Sequence, residues 1–155
     1  MTPAIDLLKK QQIIHLVHEY SHDPQHASFG LEAAEKLAVP ALRVFKTLVV
    51  KLDTGQLAVA VLPVEPMLSM KLMAKACGAK KVDMADKVAV QRSSGYVLGG
   101  VSPLAQKKRL PTIVDDSAKN FSTIFVSAGR RGLEIELAPQ DLVALTSGQF
   151  ASLCQ

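Results

Sequence analysis

The hairpin between Val44 and Leu62 constrains this chain more than any other segment. Val44 to Leu52 reads Val-Phe-Lys-Thr-Leu-Val-Val-Lys-Leu, dominated by residues that favour strands. Asp53-Thr54-Gly55 follows as a turn, and Leu57 to Leu62 returns as a second strand. The returning run, Leu-Ala-Val-Ala-Val-Leu, shows no polar alternation, so both of its faces are expected to be covered.

The flanking sequence supplies the covering elements. Thr2-Pro3 matches an N-cap followed by proline at the first helical position, and predicts a helix to about Gln12. Ile13 to Tyr20 alternates as a strand, and Asp23-Pro24 turns the chain. Leu31 to Leu37 and Leu68 to Cys77 read as helices, the second stopped by Gly78. Lys80 to Met84 is a short strand, and Asp86 caps a helix to about Gln91. Arg92 to Pro111 is rich in glycine, serine and proline. Strands resume at Thr112 to Val114, Ile124 to Ser127 and Leu133 to Leu137, with a helical turn at Ser117 to Asn120 and a last helix near Gln140 to Leu145. The pattern predicts one mixed α/β domain over residues 1–155. It should hold a mixed, largely antiparallel sheet of at least six strands, with short surrounding helices.

Composition agrees. The chain has 155 residues, 48% of them hydrophobic, which is enough for one real core. Aromatic residues make up only 5%, with no Trp, so the core must be aliphatic. No apolar run approaches the roughly 20 residues of a membrane span, and the N-terminus lacks the zones of a signal peptide. A cytoplasmic location is expected. Cys77 and Cys154 form no metal-type spacing and are expected to be reduced bystanders.

Three segments could carry chemistry. Lys46 shares a strand face with Val44, Leu48 and Val50, where a lysine is costly unless it reaches a partner, lines a cavity or snorkels from the strand's end. Gly99-Gly100-Val101-Ser102-Pro103 lets the backbone approach a ligand closely and aim N–H groups at it, or forms a plain tight turn. It is neither a P-loop nor a dinucleotide fingerprint. Ser127 to Glu134 reads as strand, turn and strand, with Ser127 and Glu134 near the two sides of the turn. No Ser-His-Asp or Cys-His set can be assembled, because His15, His18, His22 and His26 all fall within the first 26 residues. No metal and no cofactor are expected.

Net charge is +4, and the basic residues cluster at Lys80-Lys81, Lys107-Lys108-Arg109 and Arg130-Arg131. Any one cluster suits a solvated face. Three beside turn-like segments are expected to meet phosphates.

Taken in order, these segments resemble the YbaK/EbsC family of aminoacyl-tRNA deacylases, most nearly its Cys-tRNA(Pro) deacylases. The likeness runs through Met1-Thr2-Pro3-Ala4, His22-Asp23-Pro24, Phe45-Lys46-Thr47-Leu48, Gly78-Ala79-Lys80-Lys81-Val82 and Met84-Ala85-Asp86. It continues in Ser94-Gly95-Tyr96, Gly99-Gly100-Val101-Ser102-Pro103-Leu104, Gln106-Lys107-Lys108-Arg109 and Arg131-Gly132-Leu133. Four positions depart. Ala128-Gly129-Arg130-Arg131-Gly132 stands where the family usually has Gly-Gly-Lys-Arg-Gly, Glu134 replaces a usual aspartate, and Ala105 replaces a common glycine.

The resemblance implies a pocket between the Lys46 strand and the Gly99-Gly100 loop. Lys46 would be the key functional lysine, with Tyr20, Thr47, Gly99 and Ser127 at pocket positions and Glu134 nearby. The implied substrate is cysteine esterified to tRNA(Pro), cleaved when its own thiol attacks its carbonyl. Gly99 and Gly100 N–H groups would hold the amino acid or its carbonyl oxygen. Lys80, Lys81, Lys107, Lys108, Arg109, Arg130 and Arg131 would meet tRNA. The implied partners are the acceptor end of aminoacyl-tRNA and prolyl-tRNA synthetase, not DNA or a membrane. Two other readings stay open: a water-using deacylase for a small amino acid such as alanine, and a non-catalytic module binding tRNA or the synthetase.

Overall fold

The structure is a computed structural model that describes residues 1–155. Eight strands divide between two sheets. The first has the order β1-β7-β6 and comprises β1 (His15–Glu19), β7 (Leu133–Leu137) and β6 (Ile124–Arg130). The second has the order β4-β2-β3-β5-β8 and comprises β4 (Val82–Met84), β2 (Phe45–Leu52), β3 (Leu57–Pro63), β5 (Thr112–Asp115) and β8 (Gln149–Ala151). Pairing is antiparallel except at β3–β5 and β5–β8. The mixed α/β class, the single domain and the largely antiparallel pairing follow the sequence pattern. The expected single sheet is instead two, bridged at Val44 and Phe125.

The predicted hairpin forms with Lys46 opposite Leu62 and Val50 opposite Ala58. From Ala58 to Pro63 every residue of β3 is buried. The physical reason is a core on each side. On one face, Phe45, Val59 and Val61 pack with Ile124, Val126, Leu133, Ile135 and Leu137 of the other sheet. On the opposite face, Val50, Ala58, Ala60 and Leu62 pack with Met73, Ala74 and Leu153.

Five helices surround the sheets: α1 (Pro3–Lys10), α2 (Phe29–Leu37), α3 (Met70–Cys77), α4 (Lys87–Ser94) and α5 (Pro139–Thr146). Their starts are set by local chemistry. The side chains of Thr2, Ser28, Ser69 and Asp86 accept from backbone N–H groups of the first turn. Gly78 ends α3 and Gly95 ends α4, both in the left-handed conformation. None of these helices is long and apolar enough to cross a membrane. Cys77 and Cys154 are both free thiols.

Candidate active site

One cavity dominates the molecule, with a volume of about 430 Å³. Its position follows from strand pairing. β2 is paired with β3 along its length, but with β4 only over Val50 to Leu52. At the other end, Val44 meets Phe125 of β6. Between these contacts the outer edge of β2 has no strand beside it, and the cavity fills the gap. The alternation of an antiparallel ladder sends the Val49 carbonyl outward, where it accepts from the Ala85 N–H at 3.0 Å. The same alternation turns the Thr47 backbone toward the cavity.

The opposite wall is the outer face of the three-stranded sheet. Ser127 and Glu134 stand directly opposite one another across β6 and β7, and His18 is paired with Glu134 across β1 and β7. Tyr20 continues β1, its N–H donating to the Gly132 carbonyl at 2.9 Å. Tyr20, Lys46, Thr47, Gly99, Ser127 and Glu134 all line this one cavity.

Lys46 is tethered there. Its Nζ donates to the carbonyls of Val64 at 3.1 Å and Pro66 at 2.8 Å. An ammonium has three donors, so one is left for a ligand. Burial pulls the Lys46 pKa below its ordinary value, and Cys154 acts weakly the other way. Thr47 Oγ1 is buried in the wall without a hydrogen-bond partner. Buried polar atoms are normally paired, so this hydroxyl suits a ligand.

Glu134 is 7% exposed. Burial pushes its pKa up to about 8, so in the unliganded protein its carboxyl is largely neutral at pH 7 and can donate a proton. Burial, with the nearby Glu134 and Glu32 carboxylates, pushes the Tyr20 phenol up to about 12. Tyr20, Lys46 and Glu134, all on the cavity wall, are each drawn by burial toward their neutral forms.

The diglycine loop departs from expectation. Gly99 lines the cavity, with φ +89°, against the Phe29 ring. Gly100 does not, and its N–H donates to the Val97 carbonyl at 3.0 Å. A Cβ on Gly100 would sit 2.6 Å from the Arg130 Cα. Gly100 is therefore a close-packing residue beneath the β6–β7 turn, and of the two N–H groups only that of Gly99 is free for a ligand.

The basic clusters separate. Lys80, Lys81, Lys107, Lys108 and Arg109 are exposed and line no part of the cavity, and Arg109 donates to Ser147. Arg130 is exposed and pairs with Glu19 at 3.2 Å. Arg131 corrects the expectation of a free phosphate contact. It points inward, pairs with the fully buried Glu32 at 3.2 Å, donates to the Asp23 carbonyl at 2.8 Å and lies 4.0 Å from the centre of the Phe29 ring.

Among the wall residues that the sequence reading missed are Phe29, Lys87, and Arg131 in its inward role. Lys87 follows the Asp86 cap directly and is exposed at the cavity mouth, where phosphate could reach it. Its position after a helix cap beside the matched Met84-Ala85-Asp86 was the only available signal. No group of three His, Cys, Asp or Glu side chains is placed to hold a metal ion.

Comparison with known proteins places this geometry. The chain is 38% identical, over 98% of its length and 92% of the relative, to a protein of Enterococcus faecalis named as the Cys-tRNA(Pro)/Cys-tRNA(Cys) deacylase EbsC. The fold superposes on that of the protein APE2540 with a TM-score of 0.86 at 24% identity, covering 99% of both chains. It also superposes on a protein described as a trans-editing enzyme for prolyl tRNA synthetase, with a TM-score of 0.84 at 20% identity, covering 98% of this chain and 92% of that one. The profile of the aminoacyl-tRNA editing domain matches residues 24–145. The chain belongs to the aminoacyl-tRNA editing domain family, the YbaK/EbsC family.

Proposed function

We propose that this chain is a trans-editing deacylase that removes cysteine from tRNA(Pro), and from tRNA(Cys), by letting the cysteinyl thiol attack its own ester. One observation carries the reading. The cavity holds polar and ionisable groups suited to an ester, yet offers no protein nucleophile. Cys77 and Cys154 lie outside its wall, and neither wall serine hydroxyl is hydrogen-bonded to a histidine: Ser28 and Ser127 Oγ each accept a backbone N–H, and the nearby His26 ring takes only the Ser28 backbone N–H. A cysteinyl ester brings its own nucleophile, and even a few per cent of thiolate suffices.

The step balances without a cofactor. The thiol loses its proton to solvent, and sulfur bonds to the carbonyl carbon. The carbon–oxygen bond to the terminal ribose breaks, and the ribose oxygen takes a proton. The products are a thiolactone and tRNA with a free hydroxyl. Glu134, neutral near pH 7, supplies the proton to the ribose oxygen and regains one from solvent. The Gly99 N–H and the remaining Lys46 donor face the developing oxyanion, a role worth about 3 kcal/mol per donor. Folding the thiol onto the carbonyl is the cavity's main contribution.

The acceptor end of tRNA enters past Lys87, with the outer lysines contributing contacts that carry no sequence information. Selection of the tRNA falls to prolyl-tRNA synthetase as partner, and the site of action is the cytoplasm. The test is a panel of charged tRNAs with the released product identified. Cysteinyl esters should release thiolactone-derived product, while alanyl-tRNA(Pro) survives. Fast cleavage of both to the free amino acid would establish the water-using alternative instead.

A further inference from the structure

β1 is an outer strand of the three-stranded sheet, and no strand pairs with its free edge. Edge strands are normally blunted by charge, proline or a covering element. This one carries an apolar run: Ile14 is 90% exposed, Leu16 60% and Val17 43%. The Tyr20 N–H points to β7, donating to Gly132. By the alternation of the ladder, Leu16 and His18 also bond toward β7, and the N–H and C=O groups of His15, Val17 and Glu19 point outward.

We infer that two copies of this chain associate through antiparallel pairing of β1 with itself, centred on Val17. The outward set is self-complementary in that register. Val17 faces Val17 of the partner subunit, and His15 faces Glu19 of the partner subunit. These are the residues whose backbone groups are free, so each pair exchanges both of its backbone hydrogen bonds. On the other face of the strand, Leu16 packs beside His18 of the partner subunit. Ile14 meets Tyr20 of the partner subunit, and Tyr20 lines the cavity. A shift by one residue would set His15 against His18 of the partner subunit and turn paired groups outward, so the register is specified by both charge and hydrogen bonding. Of the remaining sheet edges, β6 is bridged to Val44 at Phe125 and packs against β2 and α1, and β4 and β8 span only three residues each.

Light scattering on a concentration series of the full chain tests this directly. The apparent mass should rise with concentration from the 16.6 kDa of one chain toward twice that value. Val17→Pro removes an outward N–H that β7 does not use, and should hold the protein at one chain mass with an unchanged circular dichroism spectrum. Val17→Lys places like charges at the centre and should do the same without touching the backbone, so it decides the matter if the proline variant fails to fold. Glu19→Lys should weaken association, and His15→Glu combined with Glu19→Lys should restore it. A wild-type mass of one chain at every concentration, or wild-type association in the folded Val17 variants, overturns the proposal.

Discussion

The Arg131 guanidinium reaches the Glu32 carboxylate at 3.2 Å, across 99 positions of sequence, and Glu32 is wholly buried. Burial alone would raise the Glu32 pKa. The Asp23 N–H, donating at 2.6 Å, and the Arg131 charge hold it below the ordinary value instead. This pair fastens the 23–32 segment, and with it Phe29, to the β6–β7 turn that borders the cavity.

Arg131→Ala leaves that carboxylate buried without its main partner, which should cost about 3 kcal/mol in urea unfolding. The double variant Arg131→Met with Glu32→Gln should be clearly more stable than the single alanine variant. Equal stability of the two would mean that the pair does not carry the segment.

Lys46→Ala should abolish deacylation while the protein stays folded. Two carbonyl contacts are lost with it, so unfolding free energy should drop by about 1–2 kcal/mol. Circular dichroism and single-turnover kinetics on cysteinyl-tRNA(Pro) separate the two effects. Near-normal turnover would remove Lys46 from the chemistry.

Glu134 sets a pH dependence of stability. Its folded pKa, about 8, lies above the ordinary 4.5, so between those values the folded protein holds a proton that the unfolded chain has released. Stability from this group is therefore full below that window, falls as pH rises through it, and levels off above. Glu32 and Glu136, whose pKa values are lowered, lose their contributions on the acid side and do not obscure the effect. Urea midpoints across the window should be flatter for Glu134→Gln than for the wild type.

Ala105 holds φ +56°, where an L side chain is strained and glycine is not. Ala105→Gly should raise stability by about 0.5 kcal/mol, the relief exceeding the added chain entropy. Gly100→Ala should do the opposite, by about 2 kcal/mol, because its neighbour is the Arg130 backbone, which cannot step aside. Thermal unfolding of the two variants checks both signs.

Residues whose roles are local were legible in the sequence. Thr2-Pro3 and Asp86 announced their helices, and the Val44 to Leu62 hairpin announced its strands, because capping and periodicity are short-range properties. Helix ends shifted by a few residues, α4 running on to Ser94 and α1 stopping at Lys10. β8 went unread because three residues, Gln149 to Ala151, become a strand only by lying alongside β5. The division into two sheets was invisible for the same reason. Lys46 could be singled out because it interrupts an apolar run, whereas Thr47 was marked only by the family resemblance. Arg131 could not be told from Arg130, since Arg131 sits in the β6–β7 turn, where no periodicity sets side-chain direction, and only the long-range pairing with Glu32 says which one is inward.

The cavity sits at a seam, where one sheet stops and the next begins, rather than inside either packed core. Wall residues that belong to no packed core, such as Thr47, Leu98 and Ser127, can therefore be changed one side chain at a time while the cores keep their packing. A scaffold arranged this way can change which acyl group it accepts without first becoming unstable, and selection or design should find its specificity easier to move than its fold.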